Sequence, residues 1–188
     1  QMHPGADASA AKAWWLLAAS LPPSGRNGAD TEARTSRALA SLMAGAAFSN
    51  AMVGIVHAIG HSLGGLCRIP HGQAMMMLLP HCVRFNLDRG IHAGLYGQLL
   101  DVLAPARAAA LGAGAAPEAL ARAFLDEPTA LNDLFHREYG VPLTLSELGV
   151  SRDDLPAVAK QARYDGAALY NETEITLEDA MAVLEAAY

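Results

Sequence analysis

Apolar residues recur along this sequence mainly at spacings of three and four, the period of an α-helix with one buried face. The pattern predicts a first helix over Asp7–Leu21, with Trp14 and Leu17 on its apolar stripe. Further apolar stretches predict one buried central helix over Ala38–Ile59 and another helix over Gln73–Phe85. No pair of segments has the pattern of paired strands, so the sequence predicts an all-α helical bundle.

Prolines and capping residues predict where several helices begin and end. Pro22 and Pro23 should end the first helix, because proline lacks the N–H that a further turn needs. Pro105 should end or bend a helix that begins near Arg89, and Pro117 should occupy the first turn of the next helix. Three pairs have the spacing of a capping box, in which a hydroxyl and a carboxylate satisfy the first turn of a helix. These pairs are Thr144 with Glu147, Ser151 with Asp154, and Thr176 with Asp179.

Length and composition are those of a folded domain rather than of a disordered chain. The sequence has 188 residues, of which 52% are hydrophobic and 17% are charged. That balance suits an Ala-rich helical domain with a sizeable core, and no repeat or linker divides it, so we expect a single domain over residues 1–188. A net charge of -6 provides no basic surface for nucleic acid or for an anionic membrane.

The apolar run and the two cysteines bear on membrane insertion and on the compartment. Ser41 and Asn50 interrupt the run Ala38–Ile59, and its Ala and Gly content is too high for a membrane-spanning helix. Cys67 and Cys82 are the only cysteines, and two thiols do not make a disulfide framework. We therefore expect a cytoplasmic protein that contacts no membrane.

Three of the seven histidines lie close together in the sequence. His57 and His61 are four residues apart, which places two side chains on one face of a helix. His71 follows His57 by fourteen residues, or about 21 Å along an unbroken helix, too far to share one ion. Gly64-Gly65 should stop the helix and Pro70 should mark a turn. The chain can then fold back, so that His57 and His71 face one point with His61 close by.

The residue pattern by itself leaves two interpretations of these histidines open. An imidazole pair at helical spacing in an apolar segment is typical of a hydrogen-bonded core pair as well as of a metal site. Cys67 lies between the histidines and has the character of a small buried residue rather than of a ligand. Met75-Met76-Met77 is typical of core filling rather than of a copper site, and we interpret His81 as structural.

The run that contains the histidines resembles the signature of the iron-containing (group III) alcohol dehydrogenases. The shared residues are Ala47-Phe48-Ser49-Asn50-Ala51, Gly54, His57, His61, Gly64-Gly65, Pro70-His71-Gly72 and Leu79-Pro80-His81. The stretch Asn27–Arg34 and the segments that begin at Glu147 and Thr176 are also similar to the family. The resemblance covers nearly the whole chain. It implies the helical C-terminal domain of the fold that these enzymes share with dehydroquinate synthase.

The resemblance also implies roles for individual residues. His57 and His71 correspond to metal ligands, and Phe48 corresponds to a residue that lines the substrate pocket. His61 corresponds to a histidine that faces nicotinamide and substrate without binding the metal, and we expect it to relay a proton. The family completes its metal site with an Asp-x-x-x-His pair on an earlier helix. Family spacing places that pair upstream of Gln1, where we also expect the nucleotide-binding domain.

The function that the resemblance implies is reversible hydride transfer between a small alcohol or aldehyde and NAD or NADP. Iron(II), or in some members zinc, acts as the Lewis acid. Two alternatives stay open: a truncated, non-catalytic helical scaffold or oligomerisation domain, and a member closer to glycerol dehydrogenase or dehydroquinate synthase. We expect the 188 residues alone to be inactive, and we expect a possible homo-oligomer.

Overall fold

The computed structural model describes residues 4–188, and within that range the chain contains helices and no strand. This confirms the all-α prediction. Two short 3₁₀ helices, Arg152–Asp154 and Gly166–Tyr170, accompany the α-helices. The α-helices are α1 (Pro4–Arg26), α2 (Thr31–Ala51), α3 (Ile55–Cys67), α4 (His71–Asp88), α5 (Ala93–Leu103), α6 (Pro105–Ala110), α7 (Pro117–Tyr139), α8 (Leu155–Ala162) and α9 (Leu177–Ala186).

The helices divide into two compact units. The first unit comprises the chain up to Met52 together with Gln98–Gly114, and the second comprises Val53–Gly97 together with Ala115–Tyr188. Helix α5 contributes residues to both units. The expectation of one helical domain over residues 1–188 stays a prediction.

In the first unit, α1 packs along α2. Ala13, Leu16 and Ser20 are among the buried residues of α1, so its buried stripe lies one position before the predicted one. Pro22 and Pro23 lie inside α1, and the prediction that they end it is wrong. The fixed φ of proline is compatible with a helix, and the helix continues to Arg26 despite the lost N–H and the crowding of the proline ring against the preceding turn.

The predicted helix over Ala38–Ile59 is in fact interrupted. Helix α2 ends at Ala51, and Met52 adopts a left-handed φ of 65° while its N–H donates to the carbonyl oxygen of Phe48. Helix α2 is also not a buried central helix, because its buried positions are only the small residues Ala33, Ala40 and Ala47.

No single helix within residues 4–188 is both long enough and apolar enough to cross a membrane. The two consecutive helices α2 and α3 meet the length and composition test only when they are taken together, across their break.

The second unit encloses the larger apolar core. Helix α3 packs against α4 and α8, α9 packs against α4 and α8, and α7 lies along α4. The core side chains are apolar and almost fully buried. They include Ile55, Ile59, Leu63, Leu78, Cys82, Leu145, Leu155, Val158 and Leu184.

Helix starts in this unit follow the predicted caps in part. Pro117 begins α7, and Thr176 forms a complete capping box with Asp179 at the start of α9. Ser151 caps only a 3₁₀ turn, and Thr144 accepts from the N–H of Glu147 in a turn that does not continue as a helix. In the first unit, Pro105 begins α6, which confirms that it ends the preceding helix.

Candidate metal centre

Helix α3 carries His57 and His61, and its start is fixed by a distant side chain. Gly54 has no side chain that could cap the helix. The Oδ1 atom of Asn171 instead accepts the N–H of Ile55 at 3.2 Å. A Cβ atom at Gly54 would lie 2.7 Å from that same Oδ1 atom, so only glycine leaves room for the cap.

The end of α3 lies later than predicted. Gly64 and Gly65 lie inside the helix, so the prediction that they stop it is wrong. Helix α3 ends where Arg68 adopts the left-handed conformation (φ 59°, ψ 28°) and donates its N–H to the carbonyl oxygen of Leu63. Glycine permits such a turn but does not impose it, and here the next helix packs back onto α3 and fixes the turn at Arg68. Pro70 then precedes α4.

The turn brings three histidine rings together. His71 is the first residue of α4, and its ring centroid lies 5.6 Å from that of His57 and 5.7 Å from that of His61. The centroids of His57 and His61 are 5.6 Å apart. Three imidazoles that bind one metal through ring nitrogens place their centroids roughly 5 Å apart. The predicted convergence of the three histidines is therefore present in the fold.

The histidine cluster favours neutral imidazole at His57. Burial lowers the pKa of His57, and the neighbouring His61 and His71 lower it further, against a smaller opposite effect of Asp165. Only a neutral imidazole has a free ring nitrogen for a metal ion. The donor type thus suits a divalent ion.

The methionine run packs beside the cluster. A Cβ atom at Gly60 would collide with the methyl group of Met75, so α3 and α4 approach closely at this point. Met77 is buried in the core of the second unit. These contacts support the interpretation of Met75 and Met77 as core residues.

Asp165 belongs to the cluster, although no sequence pattern predicts it. Its Oδ2 atom lies 3.1 Å from Nδ1 of His61, and its Oδ1 atom accepts the N–H of Ala167 at 2.8 Å. Asp165 is 104 residues away from His61, and no local spacing connects them. The only sequence signal is an acidic residue before Gly166 in a short loop.

The described residues do not form a complete metal site. No group of three or more His, Cys, Asp or Glu side chains within residues 4–188 is arranged to hold an ion. Burial and, secondarily, Asp154 raise the pKa of the Cys67 thiol, so it is protonated at neutral pH and is a poor ligand. The cluster therefore has side chains of a type that can bind a divalent metal, but the described residues are not arranged as a complete site.

An Asp-x-x-x-His spacing does occur in the chain, at Asp88 and His92, after the signature rather than before it. It does not form a pair of ligands on one helix turn. Helix α4 ends at Asp88, and His92 has a left-handed φ of 59°. Asp88 pairs with Arg122 and His92 pairs with Glu172, each at 3.3 Å.

Phe48 lies on α2, in the first compact unit, and its side chain is half exposed. Its role in a substrate pocket stays a prediction. The roles of His57 and His71 as ligands, and of His61 as a proton relay, also stay predictions.

The described residues form helices and no strand, and three histidines cluster where α3 turns into α4. A helical domain with such a cluster is a candidate metal-binding domain. The profile of the Fe-containing alcohol dehydrogenase family, C-terminal part, matches residues 1–188. The chain belongs to this family, and it corresponds to the C-terminal helical domain of its members.

Individual relatives agree with this family assignment. The 1,3-propanediol dehydrogenase of Citrobacter freundii is 38% identical over 174 residues, which are 90% of this chain and 41% of that protein. Alcohol dehydrogenase 4 of Saccharomyces cerevisiae is 33% identical over 186 residues, which are 99% of this chain and 45% of that protein. The crystal structure of a 1,3-propanediol oxidoreductase superposes with a TM-score of 0.86 at 33% identity, over 99% of this chain and 46% of that one. The chain thus spans less than half the length of these relatives.

Proposed function

We propose that this chain is the metal-binding part of an alcohol dehydrogenase that transfers hydride between a small alcohol or aldehyde and NAD or NADP. The observation that supports this most directly is the convergence of His57, His61 and His71, with ring centroids within 5.7 Å of one another. All three are signature residues of the family.

In this proposal His57 and His71 hold iron(II) or zinc, which supplies a Lewis acid for the alcohol oxygen. Burial keeps His57 neutral and able to bind an ion. His61 is 43% exposed, so it can exchange a proton with a substrate on one side and with solvent on the other. In this proposal, the remaining ligands and most of the nicotinamide site would come from residues outside this 188-residue chain. We therefore expect these 188 residues alone to be inactive, because a defined site needs three or four protein ligands.

Two further properties belong to the proposal. Cys67 and Cys82 are both free thiols, which supports a reducing compartment such as the cytoplasm. We also expect the protein to contact a small-molecule substrate, no nucleic acid and no membrane, and to form homo-oligomers.

The proposal is tested on the protein expressed from its complete gene. Metal content is measured by mass spectrometry, and alcohol oxidation is measured with NAD and with NADP. We expect His57→Ala and His71→Ala to lose the metal and the activity. His61→Ala should keep the metal and lose turnover, by a factor of about 100 or more for a group that moves a proton.

The matched control is His136→Ala. His136 is an exposed histidine on α7 whose Nδ1 atom lies 2.9 Å from the carbonyl oxygen of Val141. This variant should keep both metal and activity. Metal retained in both His57→Ala and His71→Ala would refute the ligand assignment. A wild-type protein with neither metal nor activity would favour the non-catalytic scaffold.

A further inference from the structure

One short segment of the second unit is attached to α3 at both of its ends. At one end Asp165 contacts His61, and at the other end Asn171 accepts the N–H of Ile55. The 3₁₀ helix Gly166–Tyr170 lies between these two contacts and packs against α3. The segment therefore fixes both the start of α3 and the side chain of His61.

The Asp165 carboxylate is itself held in place. Its Oδ1 atom accepts the N–H of Ala167 at 2.8 Å, which caps the 3₁₀ helix. Its two oxygens lie 3.3 Å and 3.1 Å from Nδ1 of His61. An ionised carboxylate only accepts hydrogen bonds, so a neutral His61 must carry its proton on Nδ1 in order to bond to it. Its Nε2 atom then keeps a free lone pair.

The other two histidines do not replace this contact. The ring of His71 is nearly parallel to that of His61, with an interplanar angle of 22° and centroids 5.7 Å apart, and it makes no hydrogen bond to Nδ1 that the structure shows. The ring of His57 meets His61 at 69°, edge to face. Asp165 is the hydrogen-bond partner that the structure gives to Nδ1.

We propose that Asp165 is a positioning residue, which holds His61 in its Nδ1–H tautomer and leaves Nε2 free to accept a proton from the substrate. The consequence for turnover rests on the proposed function above, but the tautomer itself does not. The pair contributes little to stability, because the side chains of His61 and Asp165 are 43% and 22% exposed. Its effect is on the orientation and the tautomer of the ring.

The test is Asp165→Asn in the protein expressed from its complete gene. Asparagine keeps an oxygen that can accept the N–H of Ala167, so the cap of the 3₁₀ helix survives. Its NH₂ group takes the place of Oδ2, the oxygen nearer to Nδ1 of His61, and donates there, which favours Nδ1 as an acceptor. The proton of the neutral ring then moves to Nε2. Long-range ¹H–¹⁵N spectra of the histidine-labelled protein at alkaline pH report which nitrogen carries the proton.

The matched control is Glu172→Gln. It removes a carboxylate from another histidine of the same unit, His92, whose Nε2 atom lies 3.3 Å from Glu172 Oε1. We expect this control to leave kcat, KM and the tautomer of His61 unchanged. A second variant, Asp165→Ser, keeps a capping oxygen but does not reach His61, so it serves if Asp165→Asn does not fold.

We expect Asp165→Asn to move the His61 proton to Nε2 and to lower kcat about 10-fold to 100-fold, with metal content and KM for the alcohol little changed. Asp165→Ser should lower kcat similarly. An unchanged tautomer in Asp165→Asn, or a kcat in either variant equal to that of Glu172→Gln, would overturn the inference. A wild-type protein that binds no metal and oxidises no alcohol would overturn the proposed function instead, and the ring-nitrogen signals would still decide the tautomer.

Discussion

Pro80 leaves a carbonyl oxygen of its own helix without a backbone hydrogen-bond donor, and a side chain on another helix supplies one. Pro80 lies inside α4 and has no N–H, so the carbonyl oxygen of Met76 loses its helical donor. Asn132 on α7 donates its Nδ2–H to that oxygen at 2.9 Å. The side chain of Asn132 is almost inaccessible to solvent, at 8% exposure, so this bond lies where water cannot replace it.

We predict that Asn132→Ala lowers the free energy of unfolding by about 1–3 kcal/mol, the cost of an unsatisfied buried acceptor. In a Pro80→Ala background the loss should be smaller, because the substituted alanine would supply the missing N–H to Met76. Denaturant unfolding of the two single variants and the double variant measures this coupling. Strictly additive effects would show that the Asn132 bond does not compensate for Pro80.

Asn171 supplies a hydrogen-bond acceptor for a backbone N–H at the start of α3. We predict that Asn171→Ala costs about 1 kcal/mol of stability, because Ile55 loses the acceptor of its N–H and Gly54 cannot replace it. Thermal or denaturant unfolding measures the loss. Asn50→Ala is the control: Asn50 is exposed, and its amide donates to the carbonyl oxygen of Ala46 in its own helix. An equal loss in both variants would contradict the capping role.

At the scale of elements, the structure depends on how closely α3 and α4 approach. The contact is between Gly60 and Met75, where a β-carbon on α3 has no room unless the methionine moves. Leu63 and Leu78 are fully buried on the same two helices. The separation of α3 and α4 therefore controls how the histidine rings of both helices meet.

We predict that Gly60→Val destabilises the protein by about 1–3 kcal/mol through overpacking against Met75. Met75→Ala should recover part of that loss by emptying the space. Gly65→Val on the same helix is the control, since a Cβ atom there would meet only Gln161 Nε2, at an ordinary 3.5 Å. Unfolding midpoints compare the variants, and equal costs at both glycines would contradict the close approach.

Some helix boundaries follow from the local sequence, and others are decided by packing. The starts of α6 at Pro105 and of α7 at Pro117 follow from proline itself, which fixes φ and needs no N–H in a first turn. The ends of α1 and α3 do not follow from Pro22 or from Gly64. Each of those residues is tolerated in a helix when the neighbouring elements hold the next turn.

At the scale of the whole molecule, two histidines make the free energy of unfolding depend on pH. Burial lowers the pKa of His81, and the neighbouring Arg84 lowers it further. The pKa of His57 is lowered too, first by burial. Below the ordinary histidine pKa of about 6.5, the unfolded chain therefore binds more protons than the folded one. Stability is lost as the pH falls through this range.

We predict that the metal-free protein loses stability between neutral pH and about pH 5, and that His81→Gln reduces the dependence by removing one of the two groups. Urea midpoints at a series of pH values measure it, with a chelator present. A midpoint that rises as the pH falls would contradict the sign.

The candidate site illustrates the limit of prediction from residues. The spacing of His57 and His61, and the turn before His71, predicted their convergence, because helix period and turn residues act over short stretches of chain. The contact of Asp165 with His61 and that of Asn171 with Ile55 were not predictable. They join positions more than a hundred residues apart, and no local pattern specifies which loop will meet which helix.

The sequence by itself determined the all-α class, the family and the histidines of the candidate metal centre, since periodicity, proline positions and signature residues are all properties of the local chain. Only the tertiary structure decided where α3 ends, that Asn132 satisfies Met76, and that Asp165 faces His61. These outcomes depend on which helices pack together. That packing is set by the burial of the whole apolar core rather than by any one segment.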